Sequence, residues 1–238
     1  MYALDVHNGS VRWRWKQTNV APYLPDSIGS PAVAAGVVFV GVIGAARKLY
    51  AVESTSGSLT WAANVTGDIF GPPILFDDTI IVAAFASVFC FDRMTGGEVW
   101  HYVTRGHSEL EGLALFNDTA AISSSDRQSP PCAAQLRLLC AAKRGDPVKC
   151  GQCTGVHAIP LKAAGCTDVM IAKWCTHPAP TPLLLAGGSG GLIALDARSG
   201  KLAWTAAEPA LSAHSGGYVA HVTVLNGTAY FGCWDGFV

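Results

Sequence analysis

The sequence predicts an all-β chain folded as a β-propeller of about five four-stranded antiparallel blades. Three observations predict it. One eleven-residue segment recurs four times with an acid, a glycine and a tryptophan at fixed offsets. Only 14% of the 238 residues are charged while 50% are apolar, against about 25% charged in ordinary globular chains. Twenty-six glycines and 13 prolines mark frequent turns between short strands.

The recurring segments run 3–13, 51–61, 90–100 and 194–204. Their marks are Asp5, Gly9 and Trp13; Glu53, Gly57 and Trp61; Asp92, Gly96 and Trp100; Asp196, Gly200 and Trp204. A short apolar strand ends at the acid, whose carboxylate can accept backbone N–H groups in the turn. The glycine four residues later can take the positive φ that the reversal needs. The chain then returns as a second strand carrying the tryptophan. A hairpin presenting one large aromatic per copy suits an array in which each unit buries its tryptophan against the next.

A second hairpin precedes the first in each unit. Residues 30–35 turn at Gly36 into 37–41, residues 73–76 turn at Asp77 and Asp78 into 79–83, and residues 221–225 turn at Asn226 and Gly227 into 228–232. Two hairpins give four strands in roughly 40 residues, which is the size of a propeller blade. A β-sandwich does not need a tryptophan at fixed phase.

The four acid-x-x-x-Gly-x-x-x-Trp segments resemble the pyrroloquinoline quinone (PQQ) repeat of quinoprotein dehydrogenases and of the outer-membrane assembly lipoprotein BamB. The resemblance covers residues 1 to about 103 and about 183 to 238. It implies rings of seven or eight blades, so a chain of about five reads as an incomplete ring or a segment of a longer array, whose remaining blades are one expected partner. In the alternative reading, the N-terminal strands complete a split C-terminal blade and close a ring. WD40 is a poor match, because the one Trp-Asp pair, Trp234 and Asp235, sits in a turn.

Residues 126–182 break the pattern, so the chain divides into blades over 1–125, a Cys-rich basic insertion with a degenerate blade over 126–182, and further blades over 183–238. The insertion holds six of the eight cysteines, Cys132, Cys140, Cys150, Cys153, Cys166 and Cys175. It carries seven basic and three acidic residues, hence +4, which leaves −5 elsewhere in a chain of net charge −1. Structural disulfides, a zinc site, a redox C-x-x-C at Cys150 and Cys153, and free thiols are the readings of these cysteines. Disulfides suit a loop without a core of its own, whereas the second cysteine pair lacks the tight spacing of common zinc sites. Cys90 and Cys233 fall on strands as small buried residues.

Four of the five asparagines, Asn8, Asn64, Asn117 and Asn226, begin N-x-S/T acceptor sequences and are glycosylation candidates. Turn chemistry explains Asn8-Gly9 and Asn226-Gly227 equally well. Together with the cysteines they point to a secreted or lumenal glycoprotein. No signal peptide opens the chain, and the longest apolar stretch, 32–46, is too short and too glycine-interrupted to cross a bilayer.

Near-neutral charge excludes a general attraction to nucleic acid. The resemblance to dehydrogenases would imply PQQ stacked between a tryptophan and a vicinal disulfide, above calcium held by Glu, Asn and Asp. No adjacent cysteines exist in this chain. The seven histidines show no metal spacing, so no metal, catalytic residue or cofactor is expected. The first expectation is therefore a non-catalytic module binding a protein or peptide. The alternative is part of a PQQ-dependent alcohol or sugar dehydrogenase, with PQQ and calcium. Ligand-mouth candidates are the residues before each innermost strand: Asp26 and Ser30, Asp68 and Phe70, His214 and Ser215.

Overall fold

The computed structural model describes residues 1–16, 27–104, 109–110, 112–116, 130–140, 143, 147–176, 181–189, 191–206, 219–225 and 227–233. It separates into two compact units, one of Met1–Phe116 with Leu183–Val238, the other of Asn117–Pro182.

The regular elements among the described residues of the first unit are all β-strands. A hairpin of β1 (Tyr2–Leu4) and β2 (Val11–Arg14) is followed by a sheet of β3 (Ser27–Ile28), β4 (Ala32–Ala34), β5 (Val37–Ile43), β6 (Lys48–Glu53) and β7 (Leu59–Asn64). Here β3 and β4 both pair with β5. The next sheet is β8 (Ile74–Phe76), β9 (Thr79–Ala84), β10 (Ser87–Asp92) and β11 (Glu98–Val103), and the third is β12 (Gly112–Phe116), β13 (Leu183–Gly188), β14 (Gly191–Asp196) and β15 (Leu202–Ala206). A final hairpin joins β16 (Val219–Leu225) to β17 (Thr228–Cys233). All pairings are antiparallel. Among the described residues the expected five units are three complete sheets and two hairpins, and β1–β2 does not pair with β16–β17.

The sheets pack face to face, so their middle strands are buried on both sides. Alternate residues of β5 and β6 divide the work. Phe39, Leu49 and Ala51 pack with Ile80, Val82, Phe89 and Phe91 of the following sheet. Val40, Val42, Tyr50 and Val52 pack with Met1, Trp13 and Trp15 of the preceding hairpin. Ile81, Ala83, Val88 and Cys90 meet Leu184, Ala186, Ile193 and Leu195, while Leu185, Leu192 and Ala194 meet Val219 and Val222. Each fully buried side chain of this size stabilises by about 1.5–3 kcal/mol. Two-sided burial is the cause of the low charge: a polar residue in these strands would have no water on either face.

The second unit corrects the degenerate blade expected within 126–182. Its described residues form α1 (Pro130–Cys140), α2 (Pro147–Val156), α3 (Ala158–Ala163) and α4 (Asp168–Thr176), and no strand. The insertion lies between the first and second strands of one blade, β12 and β13, so the blade itself is intact. Prolines open α1 and α2, where the missing N–H costs nothing. Gly165, at φ 76°, ends α3, with its N–H bonded to Lys162 O and that of Cys166 bonded to Leu161 O. Cys132, Leu136, Leu161 and Cys166 form a small core with Leu139, Met170, Ile171 and Trp174 around it. Three disulfides, Cys132–Cys166, Cys140–Cys153 and Cys150–Cys175, staple it. Cys150 and Cys153 therefore belong to different bridges. No described helix is long and apolar enough to cross a membrane.

Candidate functional site

The signature residues build one small device four times over. In each copy the acid's N–H donates to the carbonyl five residues on, and the glycine's N–H returns to the acid's carbonyl: Asp5 and Gly9, Glu53 and Gly57, Asp92 and Gly96, Asp196 and Gly200. The four glycines hold φ between 68° and 76°. Each carboxylate accepts from the turn it encloses. Asp5 takes the N–H of His7, Glu53 those of Thr55 and Ser56, Asp92 those of Met94 and Thr95, and Asp196 those of Arg198 and Ser199. Donation by Ser56 and Thr55 draws the Glu53 carboxyl down to about 2 from an ordinary 4.5. Thr95 lowers Asp92 in the same way, and the Arg12 guanidinium, 2.6 Å from the carboxylate, lowers Asp5.

The same glycine is also a socket. A Cβ at Gly57 would lie 2.9 Å from Trp13, at Gly96 2.6 Å from Trp61, and at Gly200 2.5 Å from Trp100. Each tryptophan thus lies flat on the turn of the following unit, where only a hydrogen can be accommodated. Trp13 Nε1 donates to Ser54 O at 2.8 Å and Trp61 Nε1 to Arg93 O at 3.1 Å, each acceptor being the residue after the acid. Trp100 Nε1 is buried without a partner. Trp204 is 39% exposed.

Further in, a second contact repeats that the sequence reading missed. Ile69 fills the space above Gly41 on β5, and Val219 that above Gly187 on β13. Ala83 holds the equivalent place on β9 and packs in the cluster containing Leu110. The signal was present: position five of each of these strands is Gly41, Ala83, Gly187 or Gly232, small in every copy.

Of the ligand-mouth candidates, Asp26, His214 and Ser215 lie outside the described residues. Ser30 is exposed and Phe70 half-buried, and Gly29 brings their segments together, since a Cβ there would stand 3.0 Å from Ile69 O and 3.6 Å from Phe70 O. Asp68 is tied to the β5–β6 turn, its Oδ1 accepting the Gly44 N–H at 2.8 Å. Asn8 and Asn64 are exposed, while Asn117 and Asn226 lie outside the described residues. Asn8 Oδ1 accepts from Ser10 N and Asn64 Oδ1 from Lys48 Nζ.

Among the described residues no three His, Cys, Asp or Glu side chains gather as a metal site. Cys90 is a buried free cysteine whose thiol burial pushes up to about 11. The described donors therefore do not fit the vicinal disulfide and calcium ligands of a PQQ site.

The family model described as outer membrane protein assembly factor BamB matches residues 1–138. No curated protein matches the chain. Among solved structures, BamB from Moraxella catarrhalis superposes with a TM-score of 0.51 at 18% identity, over 96% of this chain and 48% of that one. The computationally designed Ika8 protein gives 0.57 at 13% identity, over 99% and 50%. A europium-containing methanol dehydrogenase gives 0.35 at 23% identity over 44% and 21%, too low to carry an argument. The chain spans about half the length of the first two structures. With its model matched over more than half of the residues, and with the repeat turn and its tryptophan socket formed in successive copies, the chain belongs to the PQQ-repeat family described as outer membrane protein assembly factor BamB.

Proposed function

We propose that the chain is a non-catalytic propeller module that holds a protein or peptide partner in an oxidising, secreted or lumenal compartment. One observation carries the reading. The carboxylates that recur in every copy are consumed by their own turns, and three of the four recurring tryptophans, Trp13, Trp61 and Trp100, by the following unit, so the repeat supplies architecture rather than a recurring group for chemistry. Membership of a family described as an assembly factor supports it. Three disulfides in a small helical unit support the oxidising compartment, because such bridges are rarely kept in a reducing one. Exposure of Asn8 and Asn64 supports glycan attachment there.

Photoreactive side chains at Ser30 and Phe70, and separately at Lys143 and Lys162 of the helical unit, test the partner. A single adduct of constant mass, lost on competition with unlabelled chain, is the expected result. Saturable binding of PQQ with calcium, accompanied by dye reduction with an alcohol or sugar, would instead establish the dehydrogenase reading and overturn this one. Mass analysis with and without reductant and glycosidase tests the compartment. Six free thiols in the insertion and no glycan would refute it.

A further inference from the structure

Two described helices of the insertion bury one side and leave the other uncovered. In α2 the buried residues are Cys150 and Thr154, and in α3 Leu161, which packs with Cys132, Leu136 and Cys166. At about 100° per residue the opposite side of α2 carries Val148, Gly151, Gln152, Gly155 and Val156, all of them exposed. Helical hydrogen bonds continue on either side of His157, from its N–H to Cys153 O and from the Leu161 N–H to His157 O. Ile159 and Lys162 therefore follow on the side away from Leu161, and both are exposed. Val148, Val156 and Ile159 are 70%, 81% and 85% exposed. Gly151 and Gly155, between the valines, have nothing within 4 Å of where a Cβ would lie. The face is thus a shallow apolar cleft, with Val148 and Val156 about 12 Å apart along the axis.

The rim of this cleft is basic. Residues 147–167 hold Lys149, Lys162 and His157 and no Asp or Glu, and the whole of 126–182 holds seven basic against three acidic residues. Lys143, Lys149, Lys162 and Lys173 are all exposed. Uncovered aliphatic residues framed by one sign of charge suit a partner that brings apolar side chains and the opposite sign. A bilayer suits them less well. Helices that lie on membranes commonly sink aromatic side chains, whereas the exposed large apolar residues of the described helices, Leu138, Val148, Val156, Ile159 and Val169, are all aliphatic. The small core and three disulfides hold the cleft in shape, which leaves little ordering to be done on binding.

Resting on the partner reading above, we propose that the α2–α3 face of the insertion is the partner site and that its occupant is an acidic amphipathic helix of another protein. Apolar residues of that helix, spaced three and four apart, seat against Val148, Val156 and Ile159 across the two glycines. Its Asp and Glu side chains, on the flanks, meet Lys149 and Lys162.

Selection from a displayed library of random peptides of about 18 residues, enough for about five helical turns, tests the proposal on the full-length oxidised chain. Enriched peptides should carry an excess of Asp and Glu, with apolar residues at helical spacing. A labelled synthetic copy of the strongest should bind saturably by fluorescence anisotropy and gain helical circular dichroism as it binds. Val148→Glu with Ile159→Glu should weaken binding by about 30-fold or more, because it replaces two apolar anchors by charges that repel the peptide. Both positions lie in the first turn of a helix, where an acid does not oppose folding. The neutral pair Val148→Ser with Ile159→Ser should weaken binding by about 10-fold, and it decides alone if the glutamate pair alters the far-ultraviolet spectrum. Met94→Ser, exposed on a turn of the other unit, should change nothing. A library that yields no binder, enriched peptides without an acidic excess, or equal binding by the glutamate pair would overturn the proposal. Co-sedimentation with phosphatidylglycerol vesicles that the glutamate pair abolishes, without peptide binding, would overturn it in favour of a lipid surface. A partner adduct at Ser30 and Phe70 but not at Lys143 and Lys162 would overturn it and leave the partner reading standing. Saturable PQQ binding with dye reduction would remove that reading, and this site with it.

Discussion

Replacing Gly96 by alanine separates the two demands that the signature glycine meets. The residue holds φ 72°, and a left-handed conformation costs an alanine about 1–2 kcal/mol. Its added methyl would also stand 2.6 Å from Cδ2 and Cε3 of Trp61, closer than any real contact, and neither partner can yield freely. Trp61 is held by its bond to Arg93 O and by packing on Phe39 at 5.8 Å between ring centres. Overpacking of this kind costs about 1–3 kcal/mol more. Gly36→Ala is the control, since Gly36 holds φ 78° and its Cβ would meet only Ser54 Oγ at 4.0 Å. Urea unfolding followed by tryptophan fluorescence and far-ultraviolet circular dichroism should place Gly96→Ala below Gly36→Ala by about 1–3 kcal/mol, or roughly 0.5–1.5 M in midpoint for a slope near 2 kcal/mol/M. In a Trp61→Ala background the cost at position 96 should fall to that at position 36. Equal costs for the two glycines in the natural background would refute the socket as a source of stability.

Trp61→Phe should cost about 1 kcal/mol more than Trp100→Phe, because only the first removes an indole hydrogen bond, and thermal unfolding of the two variants checks it. Glu53 is depressed to about 2 in the folded chain against 4.5 for an ordinary carboxyl. A depressed carboxyl stabilises above the unfolded value and loses that contribution as pH falls through the folded one. Stability should therefore decline between about pH 4.5 and 2 in the natural chain, and less steeply in Glu53→Gln, as read by midpoints across that range. Reduction of the three bridges should unfold the helical unit while the strand signal persists, seen as selective loss of helical circular dichroism. Bridges spanning 34, 13 and 25 residues each restrict the unfolded chain by about 3–4 kcal/mol.

The repeat was legible in the sequence because its turn is local. An acid, the three residues after it, a glycine and the residue that follows contain every hydrogen bond that the reversal needs, so the pattern of residue types already states the geometry. The tryptophan was legible as a packing residue, though not the glycine as its receptor, because the two belong to different units. The helices of 130–176 were not legible. Their apolar residues do not fall into a clear periodic stripe, and the helices are tied together by disulfides joining residues 13 to 34 apart. A sequence window sees the cysteines but not their pairing. Of the ligand-mouth candidates, Asp68 illustrates the same limit. The sequence marks a polar residue before an innermost strand, whereas its carboxylate accepts the N–H of Gly44, 24 residues away.

By itself the sequence determined the blade: its four strands, the phase of its turns, and the burial that keeps charge out of its middle strands. Tertiary structure decided what lies between blades. Stacking puts the tryptophan of one unit onto the glycine of the next, as at Gly57, Gly96 and Gly200. The physical reason is range. Backbone hydrogen bonds in a turn join residues a few positions apart and are written in the local sequence. A packing contact instead joins surfaces whose residues lie far apart along the chain, and it exists only once the sheets have stacked.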